Sequence, residues 1–238
     1  MFKEYIIANE DQMIKDLGEM IKIPSKLEEY DNPQYPFGRN VDDALNKFLE
    51  IGKRLGFRTK NIDKYCGYIE FGEGQELVGI IGHLDVVPEG EGWTHPPFEL
   101  TIDNDKLYGR GTTDDKGPMI ASLYAMKAVM ENTAVHKRVR LIIGLNEENS
   151  WKCINYYKTH EEAPTVGFSP DADFPCIYAE KALLTAYTSE TYVENDKIKI
   201  KEIDCKNNRV NVVPKYCSVK LEVDSKIEEE VKKILLEK

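Results

Sequence analysis

The sequence predicts an α/β domain with a mixed sheet flanked by helices, joined to the start of an α+β region. Helical and strand patterns alternate to about residue 183, the order of elements in an α/β domain. Beyond Ala182, the segments 184–193, 197–205 and 216–223 instead alternate apolar and polar residues, as antiparallel strands wet on one face do. The run Leu77–Ile81 is apolar on both faces, which suits the buried middle of a mixed or parallel sheet. Two domains are therefore expected, 1–183 and the beginning of a second over 184–238.

Each element has a local cause. Asn9 can cap a helix from Glu10, in which Met13, Leu17, Met20 and Ile21 recur at three- and four-residue spacing until Pro24 ends it. Pro33 and Pro36 mark a loop, and a second helix from Asn40 carries Val41, Leu45, Phe48, Leu49 and Leu55 on one face, with Gly56 as its stop. Strands are expected over 57–62, 68–71 and 77–81, and a hairpin joins 98–102 to 106–108 through the turn Asp103-Asn104-Asp105. Pro118 opens a nearly all-apolar helix to Met130, a core element. A central strand over 138–145, a helix over 150–160 and a charged helix over 225–237 complete the pattern.

Composition excludes several classes of function. A chain of 238 residues with 41% hydrophobic content can bury a substantial core. The net charge of −10 argues against nucleic acid and anionic membranes as partners, since both reward excess Lys and Arg. No apolar run approaches the roughly 20 residues that span a bilayer, and the first residues, Met1-Phe2-Lys3-Glu4-Tyr5, carry no signal-type pattern. The five cysteines are odd in number with no C-x-x-C pair, so free thiols in the cytoplasm are expected.

The chemistry gathers at strand ends. The run Leu77–Ile81 empties into Gly82-His83-Leu84-Asp85, and the strand over 138–145 leads to Asn146-Glu147-Glu148. Thr113-Asp114-Asp115-Lys116 and Ser169-Pro170-Asp171-Ala172-Asp173 add further carboxylates. Ligands of an α/β sheet bind outside the carboxyl ends of its strands, so residues far apart in sequence can converge there. Imidazole with carboxylate oxygen suits Zn²⁺, with Co²⁺ or Mn²⁺ as substitutes. His83 and Asp85 leave an extended segment on the same face, which lets the Asp85 carboxylate accept the far ring N–H of His83. The Glu147-Glu148 pair offers one carboxylate for a metal and one for proton transfer.

These motifs resemble those of the co-catalytic zinc metallopeptidases, the family of aminoacylase, carboxypeptidase G and peptidase V. Gly82–Pro88 with Gly90-Glu91-Gly92-Trp93 is similar to the first zinc motif, and Tyr108–Pro118 to the second. Asn146-Glu147-Glu148 and Ser169–Pro175 resemble the third and fourth, with wording nearest to the peptidase V-type (Xaa-His, carnosinase-like) dipeptidases. The resemblance implies a zinc-peptidase-type fold, a catalytic domain over 1–183 and the beginning of a lid or dimerisation domain over 184–238, where Asn211-Val212-Val213-Pro214 is similar to an early lid motif. It implies that Asp114 bridges two metals and is followed by a cis peptide, that His83 and Asp171 complete the first metal site, and that Glu148 holds the second. Glu147 would be the general base and Asp85 would orient His83.

The implied activity is hydrolysis of dipeptides or small peptides by a zinc-activated water, with an N-acyl amino acid deacylase or desuccinylase and a non-catalytic metal-binding remnant as rivals. The family's last ligand to the second metal is a downstream His, whereas the histidines here are His83, His95, His136 and His160. His95, His136 and His160 read as exposed or helix-capping groups. Arg110 and Lys116 could steer a substrate carboxylate or simply pair with nearby acids. The 238 residues read as the N-terminal portion of a longer enzyme, expected to turn over little dipeptide alone and to self-associate or pair with the missing C-terminal half.

Overall fold

The structure is a computed structural model, and it describes residues 1–28, 32–173, 177–179, 182, 184, 186–189, 196–205 and 216–236. The chain divides into two compact units, Met1–Ile177 and Tyr178–Lys238. The first unit opens with helices α1 (Phe2–Ala8), α2 (Glu10–Ile21) and α3 (Arg39–Arg54). Strands β1 (Arg58–Ile62), β2 (Cys66–Phe71) and β3 (Leu77–His83) follow, then the hairpin of β4 (Thr101–Asp103) and β5 (Lys106–Tyr108). Helix α4 (Lys116–Asn132), β6 (Arg138–Gly144), α5 (Lys152–His160) and β7 (Val166–Phe168) complete it. No described helix is long and apolar enough to cross a membrane.

Five strands form a mixed sheet in the order β1-β2-β6-β3-β7. β2 pairs antiparallel with β1 and with β6, whereas β3 runs parallel to both β6 and β7. The register sets Gly67 opposite Ile143, Ile69 opposite Leu141, and Ile80 opposite Leu141 from the other side, so these residues share one face. That face meets α3 and α4: a Cβ on Gly67 would touch Leu45 and Leu49, and one on Gly82 would collide with Met119 and the Asp115 carboxylate. The opposite face carries Arg140, which stacks over Tyr68 and donates to the hydroxyl of Tyr157 on α5. The sheet is thus the middle of three layers, and β3 is almost wholly buried, as its two-faced apolar pattern requires.

Helix α3 buries Val41, Leu45, Phe48 and Leu49, and the chain leaves it at Gly56, whose φ of +92° is accessible at little cost only to glycine. The hairpin turns on Asn104 and Asp105, both with positive φ, the geometry whose twist matches paired strands. Asp16, buried in α2, receives the Tyr124 hydroxyl at 2.7 Å and the Arg54 guanidinium at 2.6 Å, which ties α2, α3 and α4 together.

The second unit contains the antiparallel pair β8 (Ile198–Asp204) and β9 (Ser218–Val223), then α6 (Glu228–Leu236). Of the strand expected over 184–193, residues 184 and 186–189 are described and are not in a strand. The rest of it lies outside the described residues, as do Asn211-Val212-Val213-Pro214. The cysteine expectation needs correction. Cys66 and Cys153 are free and buried, but Cys205 and Cys217 form a disulfide. The register explains it: Asp204 lies opposite Ser218, so the next residue on each strand meets across the pair.

Candidate metal centre

Three parallel strands end side by side, and each delivers acid or imidazole groups. His83 closes β3 opposite Gly144, the last residue of β6, and the N–H of Leu84 continues the ladder to the Gly144 carbonyl at 3.0 Å. Ile80 of β3 pairs with Phe168 of β7, which brings the segment carrying Asp171 alongside His83. The loop before α4 supplies Asp114 and Asp115, joined by a cis peptide bond as the resemblance implied.

His83 Nε2 lies 2.9 Å from Asp114 Oδ1, 3.4 Å from Asp171 Oδ2 and 3.8 Å from Glu147 Oε2. His83, Asp114 and Asp171 form the one group of metal-ligating side chains found among the described residues, with their ligand atoms within 4.8 Å of one another. Glu148 is not part of that trio. Burial alone would push the His83 imidazole down, yet hydrogen bonds to Asp114, Asp171 and Asp85 outweigh it and raise it above its ordinary value. Carboxylates that gather round one imidazole nitrogen have the charge and donor chemistry a divalent cation takes. The residues present fit such an ion.

The other ring nitrogen is fixed too. His83 Nδ1 lies 2.9 Å from the backbone carbonyl oxygen of Asp85 and 3.4 Å from its Oδ1. The nearer acceptor is thus the carbonyl rather than the carboxylate, and a proton on Nδ1 leaves Nε2 free for a cation. The Asp85 carboxylate is engaged elsewhere: Oδ1 accepts the N–H of Glu147 and Oδ2 the N–H of Glu148, each at 3.1 Å. Asp85 is fully buried, so these bonds satisfy a carboxylate that water does not reach.

Burial first, then the neighbouring negative charges, raises the Glu147 carboxyl above its ordinary range, and the same causes bring Glu148 to about 7. The Asp114 carboxyl is lowered, chiefly by its hydrogen bond to His83. Asp115 is buried with its carboxyl raised to about 7 by burial. Its Oδ2 accepts the N–H of His83 at 3.0 Å, and its Oδ1 has no hydrogen-bond partner. Gly82 leaves room for this contact, because a Cβ there would strike the Asp115 carboxylate.

Two residues weighed for substrate contact have other engagements. Lys116 is fully buried and donates to the carbonyls of Met20 and Ile23. Arg110 donates to the carbonyls of Pro88 and Glu89 and stacks on Trp93. Asp173 is exposed, as are His136 and His160; His95 packs against Tyr108. Phe174 and Pro175 lie outside the described residues.

Residues 79–234 match the peptidase family M20/M25/M40, and the chain belongs to that family. It is 47% identical over 183 residues to the Bacillus subtilis (strain 168) protein YtjP, which is named as a candidate dipeptidase. That match covers 76% of this chain and 40% of the relative. The Beta-Ala-Xaa dipeptidase of Lactobacillus delbrueckii subsp. lactis is 44% identical over 202 residues, covering 83% of this chain and 42% of the relative. The chain therefore spans less than half the length of these relatives. Among solved structures, human carnosine dipeptidase 1 superposes with a TM-score of 0.57 at 25% identity, over 72% of this chain and 40% of the other.

Proposed function

We propose that this chain carries the catalytic portion of a metal-dependent dipeptidase. The observation that carries the reading is the convergence of Asp114, Asp171 and Glu147 on His83 Nε2, in a peptidase family whose similar members include a Beta-Ala-Xaa dipeptidase. Residues 1–183 would form the catalytic domain and 184–238 the beginning of a lid or dimerisation domain. His83, Asp114 and Asp171 would hold one ion, and Asp114 with Glu148 would contribute to a second site, in which the family's further His is not among this chain's histidines. Zinc suits the donor set best, with cobalt or manganese as substitutes.

When bound, the metal supplies Lewis-acid polarisation of the scissile carbonyl and lowers the pKa of water to about 7. The protein's own groups do the rest. Glu147 stands within reach of the same space as His83 Nε2, and burial raises its carboxyl toward the range where a proton is both taken and returned. It accepts the proton of the attacking water and passes it to the leaving amine, a contribution of about 10²–10⁴-fold. Asp85 anchors the backbone of Glu147 and so keeps the base from swinging out of line. Asp115 fixes the His83 main chain from the opposite side.

The test is a comparison of Glu147→Gln with the unaltered protein as its natural host produces it. Both are loaded with zinc and assayed on β-Ala-containing and α-linked dipeptides alongside N-acyl amino acids. The amide keeps the shape of the carboxylate but cannot accept the proton, so turnover should vanish while metal content stays the same. Undiminished turnover in the variant, or a preference for N-acyl amino acids, would overturn the assignment.

A further inference from the structure

We propose that Lys116 and Ser25 are positioning residues: together with the Met20–Ser25 segment they clamp the two loops that carry His83 and Asp114 and so set the geometry of the metal-binding trio. This rests on the metal-site reading above and goes beyond it, since neither side chain is a ligand or an acid–base group.

The clamp is visible as four bonds made by one short segment. Lys116 is the first residue of α4, directly after Asp114 and Asp115, and its Nζ donates to the carbonyls of Met20 at 3.0 Å and Ile23 at 2.7 Å. Two residues on, the Ser25 hydroxyl donates to the Leu84 carbonyl at 2.6 Å, and the Ser25 carbonyl accepts the N–H of Val86 at 3.0 Å. One end of the segment therefore grips the Asp114 loop and the other grips the loop that follows His83. Both side chains are fully buried, so water does not compete for these bonds.

The placement of a lysine here is informative. A buried ammonium is costly unless its protons are engaged. Its acceptors lie at the carboxyl end of α2, where the helix dipole favours a cation. Those carbonyls have other donors already: Ile23 N–H serves Met20 and Ser25 N–H serves Ile23. Lys116 is thus not needed to satisfy the helix end. What it adds is a tie between α2 and the residue two places after Asp114. Since Asp115 also receives the His83 N–H, a shift of Lys116 would move both Asp114 and His83.

The experiment uses the whole 238-residue chain, stripped of metal and titrated with Co²⁺, whose visible absorption reports both affinity and ligand geometry. The variants are Lys116→Met, Ser25→Ala and the double substitution, with His83→Ala as the control for binding at the trio. Urea unfolding of each metal-free chain is measured beside it. The methionine keeps length and apolar bulk and leaves no orphaned carbonyl, so the metal-free fold should persist. Each single variant should weaken Co²⁺ binding about 10- to 100-fold, the range for residues that orient metal ligands, and alter the cobalt spectrum. The double variant should lose less than the product of the two, because both act through one segment.

Wild-type affinity and spectrum in both single variants, with binding still sensitive to His83→Ala, would overturn the clamp alone. Cobalt binding that is absent in the unaltered chain, or that survives His83→Ala, would remove the metal-site reading and the clamp with it. If Lys116→Met unfolds the metal-free chain, Ser25→Ala decides. Collapse of both metal-free folds would mean a purely structural tie and would equally overturn the proposal.

Discussion

The carboxylate of Asp85 spans the N–H groups of Glu147 and Glu148, with one oxygen for each at 3.1 Å. Residues more than sixty positions apart are joined by this one side chain, and they belong to the strand ends of β3 and β6. Asp85→Asn would keep a single acceptor oxygen and turn the other position into a donor facing an N–H. The acidic loop should then shift away from His83, lowering affinity for metal or turnover about 10- to 100-fold. Calorimetric titration with zinc checks the first and a dipeptide assay the second.

Metal content follows from the ligand count. In the proposed assignment, His83, Asp114 and Asp171 would make a three-ligand site of the open type. The second site has only Asp114 and Glu148 from this sequence in the proposed assignment. Elemental analysis of the 238-residue chain prepared without chelator should find about one tightly held zinc per chain, consistent with the three-ligand count of an open site. Two tightly held ions would mean that a further residue, or a second copy, supplies the remaining ligand.

The Asp16 node predicts a difference between two substitutions. Tyr124 donates its hydroxyl to Asp16 in the interior, and burial with this bond raises the phenol far above its ordinary value. Asp16→Ala strands that buried hydroxyl and should cost about 1–3 kcal/mol, whereas Tyr124→Phe leaves Asp16 with Arg54 and should cost only about 0.5–1.5 kcal/mol. Urea denaturation measures both. Equal losses would show that the hydroxyl is not the group that suffers.

Burial pushes the Cys66 thiol up to about 12, and Cys153 is raised for the same reason. In the unfolded chain these thiols ionise from about pH 8.5, so between there and the folded value the native state binds more protons than the unfolded one. The stability these groups contribute is complete below that range and is lost as pH climbs through it. Two readouts follow: unfolding midpoints that fall above about pH 9, and Cys66 and Cys153 thiols that react with an alkylating reagent only after denaturant is added. Rapid native alkylation of Cys66 at pH 8 would contradict its burial.

Gly82 offers a check on packing at the site. Its Cα faces the Asp115 carboxylate and the Met119 sulfur, so a methyl group there forces α4 or the Asp114 loop outward. Gly82→Ala should destabilise the fold by about 1–3 kcal/mol, the usual cost of overpacking, and weaken metal binding with it. An unchanged zinc affinity would show that the loop relaxes without moving Asp114.

Much of this protein could be read from local pattern. The buried run before His83 and the apolar run before Glu147 emerge as β3 and β6, because a strand covered on both faces needs apolar residues at every position. Helices α2 to α5 follow from their spacing and their stops, and Asn104-Asp105 set the hairpin turn. Two elements escaped. Helix α1 buries none of its residues, so it has no stripe to detect, and β7 is three residues long, too short to show a period.

Other features were decided only by long-range contact. Periodicity says that a residue is buried but not which strand lies beside it, and the order β1-β2-β6-β3-β7 is what sets three strand ends in a row. The sequence could offer Asp85 as a partner for the His83 ring. Only the packing of β3 against β6 turned its two oxygens to the Glu147 and Glu148 amides and left the Asp85 carbonyl as the nearer acceptor for His83 Nδ1. In the sequence Lys116 reads as a cation that steers a substrate carboxylate or pairs with nearby acids, yet the first turn of α4 points it inward to the end of α2. Cys205 and Cys217 meet because one antiparallel register places them opposite. Local composition fixes which groups are available for chemistry. Hydrogen bonds between distant segments fix where their atoms stand, and that information is distributed over the whole sheet rather than held in any one motif.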